Sequence, residues 1–113
     1  TILILDKFHV TTAFLNVLEN AVKYGSDTII VKTSIIDNQF SISFEDNGIG
    51  ISKSKQSLLF DKFYRVEQGN LHNTKGLGLG LYYVDQIIKA HQGSIAVMSD
   101  LGKGAIFTIN FKV

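Results

Sequence analysis

Three alternating glycines are the first residues whose type and spacing point to chemistry. They lie in the run Lys75–Leu81, which reads KGLGLGL, at the start of a predicted helix. The first backbone N–H groups of a helix have no partner within it, and glycine lets that backbone approach an anion closely. An anion can therefore bind here, although a glycine triplet is equally typical of a flexible hinge. The run is neither a dinucleotide-binding fingerprint, since Leu81 replaces its third glycine, nor a P-loop.

A carboxylate at the end of a strand is the second candidate. Asp46 closes the most regular strand pattern in the chain and begins the run Asp46–Gly50, which reads DNGIG. A rigid strand end that leads into a loop is a favourable place for a recognition residue. The same residue types also form ordinary turns, and the run by itself favours that interpretation.

Two asparagines and a lysine form the third candidate. Asn16, Asn20 and Lys23 are spaced so that they fall within about 60° of one another on a helix. The amide oxygens suit a hard cation, and the N–H groups suit phosphate. A solvated polar face is the alternative interpretation.

Hydrophobic periodicity predicts the two helices that position these residues. Asp6 is a predicted N-cap for a helix that runs to about Tyr24. The core-facing side of this helix is predicted to consist of Val10, Phe14, Val17, Leu18 and Ala21. A second helix is predicted from about Gly78 to His91, with Gly93 as its C-terminal stop.

Four strands are predicted around the helices. Their bounds are Thr28–Ile36, Gln39–Glu45, Ser94–Asp100 and Ala105–Val113. A tight turn at Asp37 and Asn38 joins the first two strands. No regular pattern continues between Gly48 and about Lys75, which is typical of a functional or mobile segment. This order of elements indicates helices packed on one face of a mostly antiparallel sheet.

Composition restricts the classes of function. The chain has 113 residues, 45% of them apolar, 11% aromatic and 19% charged, which is typical of one folded domain. A formal charge of +1 argues against nucleic acid as a partner. The absence of cysteine excludes disulfides, thiolate zinc sites and cysteine nucleophiles. No apolar run is long enough to cross a bilayer, so no membrane contact is expected. The chain starts without methionine, which suggests that residues 1–113 are one domain of a longer protein.

Four motifs in a fixed order carry a resemblance to a known family. They are Asn16–Tyr24, Asp46–Gly50, Phe60–Arg65 and Gly76–Leu81. Together they resemble the N, G1, F and G2 boxes of the catalytic ATP-binding domain of sensor histidine kinases, over nearly the whole chain. The resemblance implies the Bergerat fold, an α/β (α+β) two-layer sandwich whose mixed, mostly antiparallel sheet is covered on one face by helices. It also implies an ATP lid at about residues 49–75.

The resemblance implies roles for residues around a bound nucleotide. Asp46 would accept a hydrogen bond from the adenine amino group, and its carboxylate would repel the carbonyl oxygen of guanine. Asn20 would bind Mg²⁺, with Asn16 beside it and ATP supplying further oxygens. Lys23 would neutralise phosphate, and Tyr24 would pack against the base.

Further nucleotide contacts are implied in the lid and the glycine-rich segments. Arg65 and Lys75 would reach the terminal phosphates from the lid, which Phe60 and Phe63 would anchor. The remaining implied nucleotide-binding residues are Gly48, Ile49, Gly50, Gly76, Leu77, Gly78, Leu79, Gly80 and Leu81. Ala105 stands where the family often carries serine or threonine, so we expect somewhat weaker nucleotide affinity and an unchanged fold.

The residue at position 16 bears on the type of reaction. In hydrolysing relatives of this fold, a glutamate one turn before the metal-binding asparagine activates water, whereas the amide of Asn16 is not basic. Glu19 lies about 100° from Asn20 around the helix, so we do not expect it to substitute. The resemblance therefore implies transfer of the γ-phosphate rather than fast hydrolysis. The implied catalytic residues are Asn16, Asn20, Lys23 and Arg65.

The phosphate acceptor is expected in another domain. In the family it is a histidine followed by an acidic residue, and none of His9, His72 and His91 has such a neighbour. His91 falls on the apolar side of its helix and is predicted to be a core residue. The implied partners are a helical dimerisation and phosphoacceptor domain of the same parent protein and the receiver domain of a response regulator, in a two-component system. The implied location is the cytoplasm, on a membrane-anchored parent.

Two alternatives share much of this pattern. An ATPase, or a serine kinase that acts as an anti-sigma factor, would have the same fold, but Asn16 in place of glutamate and the intact F box argue against both. A nucleotide-binding module that has lost catalysis is the other alternative. The intact glycines, Asn20 and Asp46 argue against that one.

Overall fold

A computed structural model of the protein describes residues 5–23, 27–61 and 80–112. The elements are α1 Lys7–Lys23, β1 Ile29–Ile36, β2 Gln39–Asp46, α2 Lys53–Gln56, α3 Gly80–Ala90, β3 Ser94–Ser99 and β4 Ala105–Lys112. The predicted helices and strands are confirmed to within a residue or two wherever their ends are described. The short helix α2 corrects the prediction that the segment after Gly48 has no regular structure. The predicted start of the second helix at Gly78 lies outside the described residues.

The four described strands form one sheet in the order β1-β2-β4-β3, and every pair of neighbours is antiparallel. The β1–β2 hairpin turns at Asp37 and Asn38, whose φ angles are 51° and 62°. Two successive left-handed residues match the twist of the strands and form the expected tight turn. Helices and an antiparallel sheet confirm the predicted α/β two-layer fold class.

The core lies between the sheet and the helices α1 and α3. Its buried side chains are Ala13, Val17, Phe44, Leu59, Leu81, Val84, Ile88, Ala105, Phe107, Ile109 and Phe111. In β4, alternate residues from Ala105 to Phe111 are buried, which places one face of that strand against the helices.

The buried face of α1 is made up of partly different residues from those that the sequence predicts. Val17 and Ala21 are buried as expected, whereas Phe14 and Leu18 are only partly buried at the edge of the core. Ala13, which the pattern did not single out, is completely buried. An alanine contributes little to a hydrophobic pattern, so its burial shows only in the packed structure.

Both helix ends at one side of the molecule are capped. Asp6 Oδ1 accepts a hydrogen bond from the backbone N–H of His9 at 2.9 Å, which confirms the predicted N-cap of α1. At the end of α3 the backbone N–H groups of Gln92 and Gly93 donate to the carbonyls of Lys89 and Ile88, both at 2.9 Å. These two bonds form a Schellman motif.

The left-handed residue of this motif is Gln92, with φ 60°, so the predicted helix stop at Gly93 is displaced by one residue. Gly93 has a steric role instead. A Cβ atom at this position would collide with the backbone carbonyl oxygen of Asn110 in β4. The glycine therefore allows the chain to leave α3 directly against the sheet.

The side chain of His91 joins the two helices. Its Nε2 accepts a hydrogen bond from the backbone N–H of Asp6 at 2.9 Å, and its Nδ1 lies 2.8 Å from the carbonyl oxygen of Ile87. Because Nε2 accepts from an N–H group, the ring proton is on Nδ1 and is donated to Ile87. His91 is thus half-buried and hydrogen-bonded at both ring nitrogens, which corrects the prediction that it is a core residue.

We predict that His91→Ala lowers the free energy of unfolding by about 2 kcal/mol, because the Asp6 N–H loses its acceptor and the Ile87 carbonyl loses one of its two donors. His9→Ala is the matched control, since His9 is a half-exposed neighbour that pairs with the Asp6 carboxylate at 3.0 Å. An exposed pair of this kind contributes about 1 kcal/mol or less. Urea unfolding of both variants tests the difference, and equal losses would contradict the role of His91.

Candidate functional site

The amide-bearing side of α1 faces the beginning of α3. Asn16 is half-buried, and its Nδ2 donates to the carbonyl oxygen of Thr12 at 2.9 Å. Its Oδ1 lies 3.4 Å from the position of a Cβ atom built on Gly80, the first residue of α3. Asn20 is half-buried, and Lys23 is exposed at the C-terminal end of α1. The structure therefore brings the N-box asparagine next to the last glycine of the G2 box.

The carboxylate of Asp46 is held by two backbone donors. Oδ1 accepts hydrogen bonds from the N–H of Gly48 at 2.9 Å and from the N–H of Ala105 at 3.3 Å. Asp46 and Ala105 are also paired across β2 and β4. An ionised carboxylate has acceptor sites on both oxygens, so Oδ2 can accept a further bond from a ligand. Since Ala105 donates through its backbone, this support does not need a side-chain hydroxyl at position 105.

The loop after Asp46 packs against the turn between β3 and β4. The N–H of Gly102 donates to the carbonyl oxygen of Ile49 at 2.7 Å. A Cβ atom on Gly50 would collide with the carbonyl oxygen of Asp100, and one on Gly104 would collide with the carbonyl oxygen of Asp46. Two glycines thus allow two backbone segments to touch without intervening side chains. This packing explains Gly50, while its predicted nucleotide contact stays a prediction, as do those of Gly48 and Ile49.

Asn47 fixes the chain that leads from α1 into β1, a role that the sequence analysis missed. Its Oδ1 accepts from the N–H groups of Asp27 and Thr28 at 3.1 and 3.2 Å, and its Nδ2 donates to Asp27 Oδ1 at 2.7 Å. The bond from Asn47, followed by one from the Thr28 hydroxyl, lowers the pKa of the Asp27 carboxyl below its usual value. An Asx side chain directly after a strand is the only sequence signal for this contact.

Two other predicted site residues belong to the packed interior. Leu81 is buried in the core, so its side chain is a packing residue. Phe60 is half-buried, and its ring packs edge-on against that of Phe107, with centroids 6.5 Å apart. This contact fits the predicted anchoring role of Phe60.

The other predicted site residues cannot be compared with the structure. Those that lie outside the described residues are Tyr24, Phe63, Arg65, Lys75, Gly76, Leu77, Gly78 and Leu79. His72 lies outside as well, together with the lid from residue 62 onward. The roles implied for these residues stay predictions.

Within residues 5–23, 27–61 and 80–112, no group of three or more histidine or acidic side chains is arranged to hold a metal ion. Asn20, the predicted magnesium ligand, is half-buried on α1, and its role stays a prediction. In the same ranges no helix has the length and apolar character needed to cross a membrane.

Comparisons with known proteins agree with this arrangement. A family model described as histidine kinase-, DNA gyrase B-, and HSP90-like ATPase matches residues 5–113. The sensor protein RprX of Bacteroides fragilis (strain YCH46) is 46% identical over 108 residues, which cover 92% of this chain and 21% of RprX. The chain thus spans about a fifth of the length of this curated relative.

Solved structures show the same similarity. The mycobacterial sensor histidine kinase MprB superposes with a TM-score of 0.85 at 28% identity, over 97% of this chain and 76% of the MprB chain. Full-length ShkA in complex with AMPPNP gives a TM-score of 0.78 at 28% identity, over 91% of this chain and 21% of the ShkA chain.

We predict that Gly104→Ala destabilises the protein by about 3 kcal/mol or more, because a left-handed φ of 78° and a collision with the Asp46 carbonyl add together. Gly102→Ala is the matched control. Gly102 has a similar φ of 81°, but no atom lies within 4 Å of its added Cβ. The control should lose about 1 to 2 kcal/mol from backbone strain alone. Urea unfolding measures both, and a Gly104→Ala loss no larger than the control would contradict the close packing.

Proposed function

The chain belongs to the histidine kinase-, DNA gyrase B- and HSP90-like ATPase family, and we propose that it is the ATP-binding catalytic domain of a sensor histidine kinase. In this proposal the domain binds Mg-ATP and transfers the γ-phosphate to a histidine on a helical dimerisation and phosphoacceptor domain of the same parent protein. The observation that carries the proposal is the meeting of Asn16 and Gly80, which brings the amide side of α1 to the N-terminus of α3. Unpaired N–H groups at a helix N-terminus favour phosphate.

Asp46 would recognise the base. Its carboxylate is oriented by the N–H groups of Gly48 and Ala105, so it does not need to reorganise when a ligand arrives. A carboxylate accepts hydrogen bonds only, and adenine offers an amino group where guanine has a carbonyl oxygen. The proposed site therefore selects adenine over guanine.

Asn20 and Lys23 would hold the phosphate end. A neutral amide oxygen suits Mg²⁺ that is already surrounded by phosphate oxygens, and the ion would neutralise part of the charge of the triphosphate. Lys23 is exposed at the C-terminal end of α1, three residues after Asn20, where its ammonium can reach a bound phosphate. Support for this part comes from ShkA, whose structure contains AMPPNP.

Phosphate transfer is favoured over hydrolysis by the chemistry of Asn16. Its amide N–H₂ is engaged with the Thr12 carbonyl and has no basic lone pair with which to activate water. A nitrogen of the acceptor histidine would attack the γ-phosphorus, and ADP would leave with the electrons of the broken P–O bond. His91 has both ring nitrogens hydrogen-bonded, and His9 pairs with Asp6, so neither is placed as that acceptor.

Beyond the domain itself, we propose a parent protein that signals in a two-component system. The phosphohistidine would pass its phosphate to the receiver domain of a response regulator, and the domain would lie in the cytoplasm as part of a membrane-anchored chain. The support is the similarity to RprX, a sensor protein, and to MprB, a sensor histidine kinase.

The direct test is incubation of the full-length protein with Mg²⁺ and ATP labelled at the γ-phosphate. We expect the label on histidine. The phosphate–histidine bond is stable to alkali and is broken in acid. Release of free phosphate without labelled protein would instead support an ATPase, and bound but unreacted ATP would support an inactive module.

We predict that Asp46→Asn weakens ATP binding by about tenfold to a hundredfold, because an amide N–H₂ would then face the adenine amino group. The amide oxygen can still accept from Gly48 and Ala105, so the fold should be unchanged. Asp100→Asn, in the neighbouring turn, controls for the loss of one negative charge. Calorimetric titration with ATP measures the affinity of both variants. An Asp46→Asn variant that binds ATP as tightly as the unaltered protein would contradict the assignment of Asp46.

We predict that Asn20→Ala lowers phosphotransfer at least about a hundredfold, because a metal ligand is removed. Stability should change by less than about 1 kcal/mol, since Asn20 is only half-buried. Glu19→Ala is the control, as Glu19 is an exposed neighbour on the same helix. The measurement is labelled-phosphate transfer across a range of Mg²⁺ concentrations. An unchanged rate and Mg²⁺ dependence would show that Asn20 is not the ligand.

A further inference from the structure

The hydroxyl of Ser99 bridges the two backbone segments that meet beside Asp46. Ser99 is the last residue of β3 and is half-buried. Its Oγ accepts a hydrogen bond from the N–H of Ile51 at 2.8 Å and donates to the carbonyl oxygen of Gly104. One side chain thus connects the end of the loop that begins at Asp46 with the residue just before Ala105.

Gln56, the last residue of the short helix α2, also forms hydrogen bonds to both segments. Its Nε2 donates to the carbonyl oxygen of Ile51 at 2.8 Å and to the carbonyl oxygen of Ser99 at 2.7 Å. Both amide protons are therefore used, and each goes to one of the two segments. Ile51 is held at its N–H by Ser99 and at its carbonyl by Gln56.

The hydrogen bonds of Ser99 and Gln56 determine where the Asp46 carboxylate lies. The loop of residues 46–51 is fixed at its far end by Ser99 and Gln56, while at its near end Asp46 Oδ1 accepts from Ala105. Gly104, which accepts the bond from Ser99, also packs directly on the backbone of Asp46. A shift of the loop relative to the turn would therefore move the carboxylate.

We propose that Ser99 and Gln56 are positioning residues for adenine recognition, which hold the Asp46 carboxylate in register with the base through the loop of residues 46–51. This inference rests on the proposed binding of ATP. Neither side chain needs to touch the nucleotide, because both act on the backbone at Ile51 and at the β3–β4 turn. Their loss should weaken the bond to the base and leave the phosphate end, on α1 and α3, unaffected.

The experiment compares ATP with ITP, in which a carbonyl oxygen replaces the amino group of adenine. The ratio of the two dissociation constants therefore reports the bond to Asp46. In the full-length protein we expect ATP to bind more tightly than ITP by about tenfold to a hundredfold. Ser99→Ala should reduce this ratio by about tenfold, through weaker ATP binding, and raise KM for ATP while kcat at saturating ATP stays within about twofold.

Two variants separate positioning from general stability. Ser99→Thr keeps the hydroxyl and should restore the ratio, whereas Gln56→Met keeps the length of the side chain, removes both donors and should lower the ratio as Ser99→Ala does. Ser57→Ala is the matched control, because the Ser57 hydroxyl donates to the nearby Ser54 carbonyl in the exposed turn after α2 and, among the described residues, to neither of the two segments. It should leave the ratio unchanged.

The outcomes distinguish this inference from the proposed function. If the unaltered protein does not prefer ATP to ITP, the proposed recognition by Asp46 fails. If it does, and Ser99→Ala and Gln56→Met keep the full preference at whatever melting temperature, Ser99 and Gln56 are structural residues only and the inference is overturned. If Ser99→Ala does not fold, Gln56→Met alone decides the question on the same ratio.

Discussion

The contact between the loop of residues 46–51 and the turn of residues 100–104 is the constraint on which the position of the Asp46 carboxylate depends. A side chain at Gly50 or Gly104 would collide with backbone carbonyl oxygens of the opposite segment, so both positions exclude even alanine without movement of the backbone. The backbones then lie close enough for Gly102 to donate to Ile49 and for Ala105 to donate to Asp46. These main-chain contacts determine the position of the loop that begins at Asp46.

The proposed phosphate end is built differently, from the two helices α1 and α3, which contact each other at both ends of their interface. At one end His91, just after α3, accepts from the backbone N–H of Asp6 and donates to Ile87. At the other end Asn16 lies against Gly80, the first residue of α3. Buried residues between these points, such as Ala13 and Val84, keep the helices in fixed register. The amide of Asn16 on α1 and the first residue of α3 therefore lie side by side.

Sequence patterns predicted the elements well because each element carries its own periodicity. The alternation of Phe40, Ile42 and Phe44 and the pair Asp37-Asn38 are sufficient to define the β1–β2 hairpin. The residues that were missed act between elements. Each of Ser99, Gln56 and Asn47 bonds to a backbone group that lies between 19 and 48 residues away in the chain. No local pattern encodes such distances, and Ala13 and Gln92 have residue types that carry little local signal for burial or for a left-handed conformation.

The two ends of the site respond differently to sequence change. At the base end, Ala105 supports Asp46 through its backbone N–H, so replacement of the side chain at that position leaves the bond intact and alters only what lies beside it. At the phosphate end, the functional groups of Asn16 and Asn20 are in the side chains, and no backbone group replaces them. In the proposed site, substitutions in the β3–β4 turn would therefore act on the bond to the base through the position of Asp46, whereas substitutions on α1 would remove the functional groups themselves.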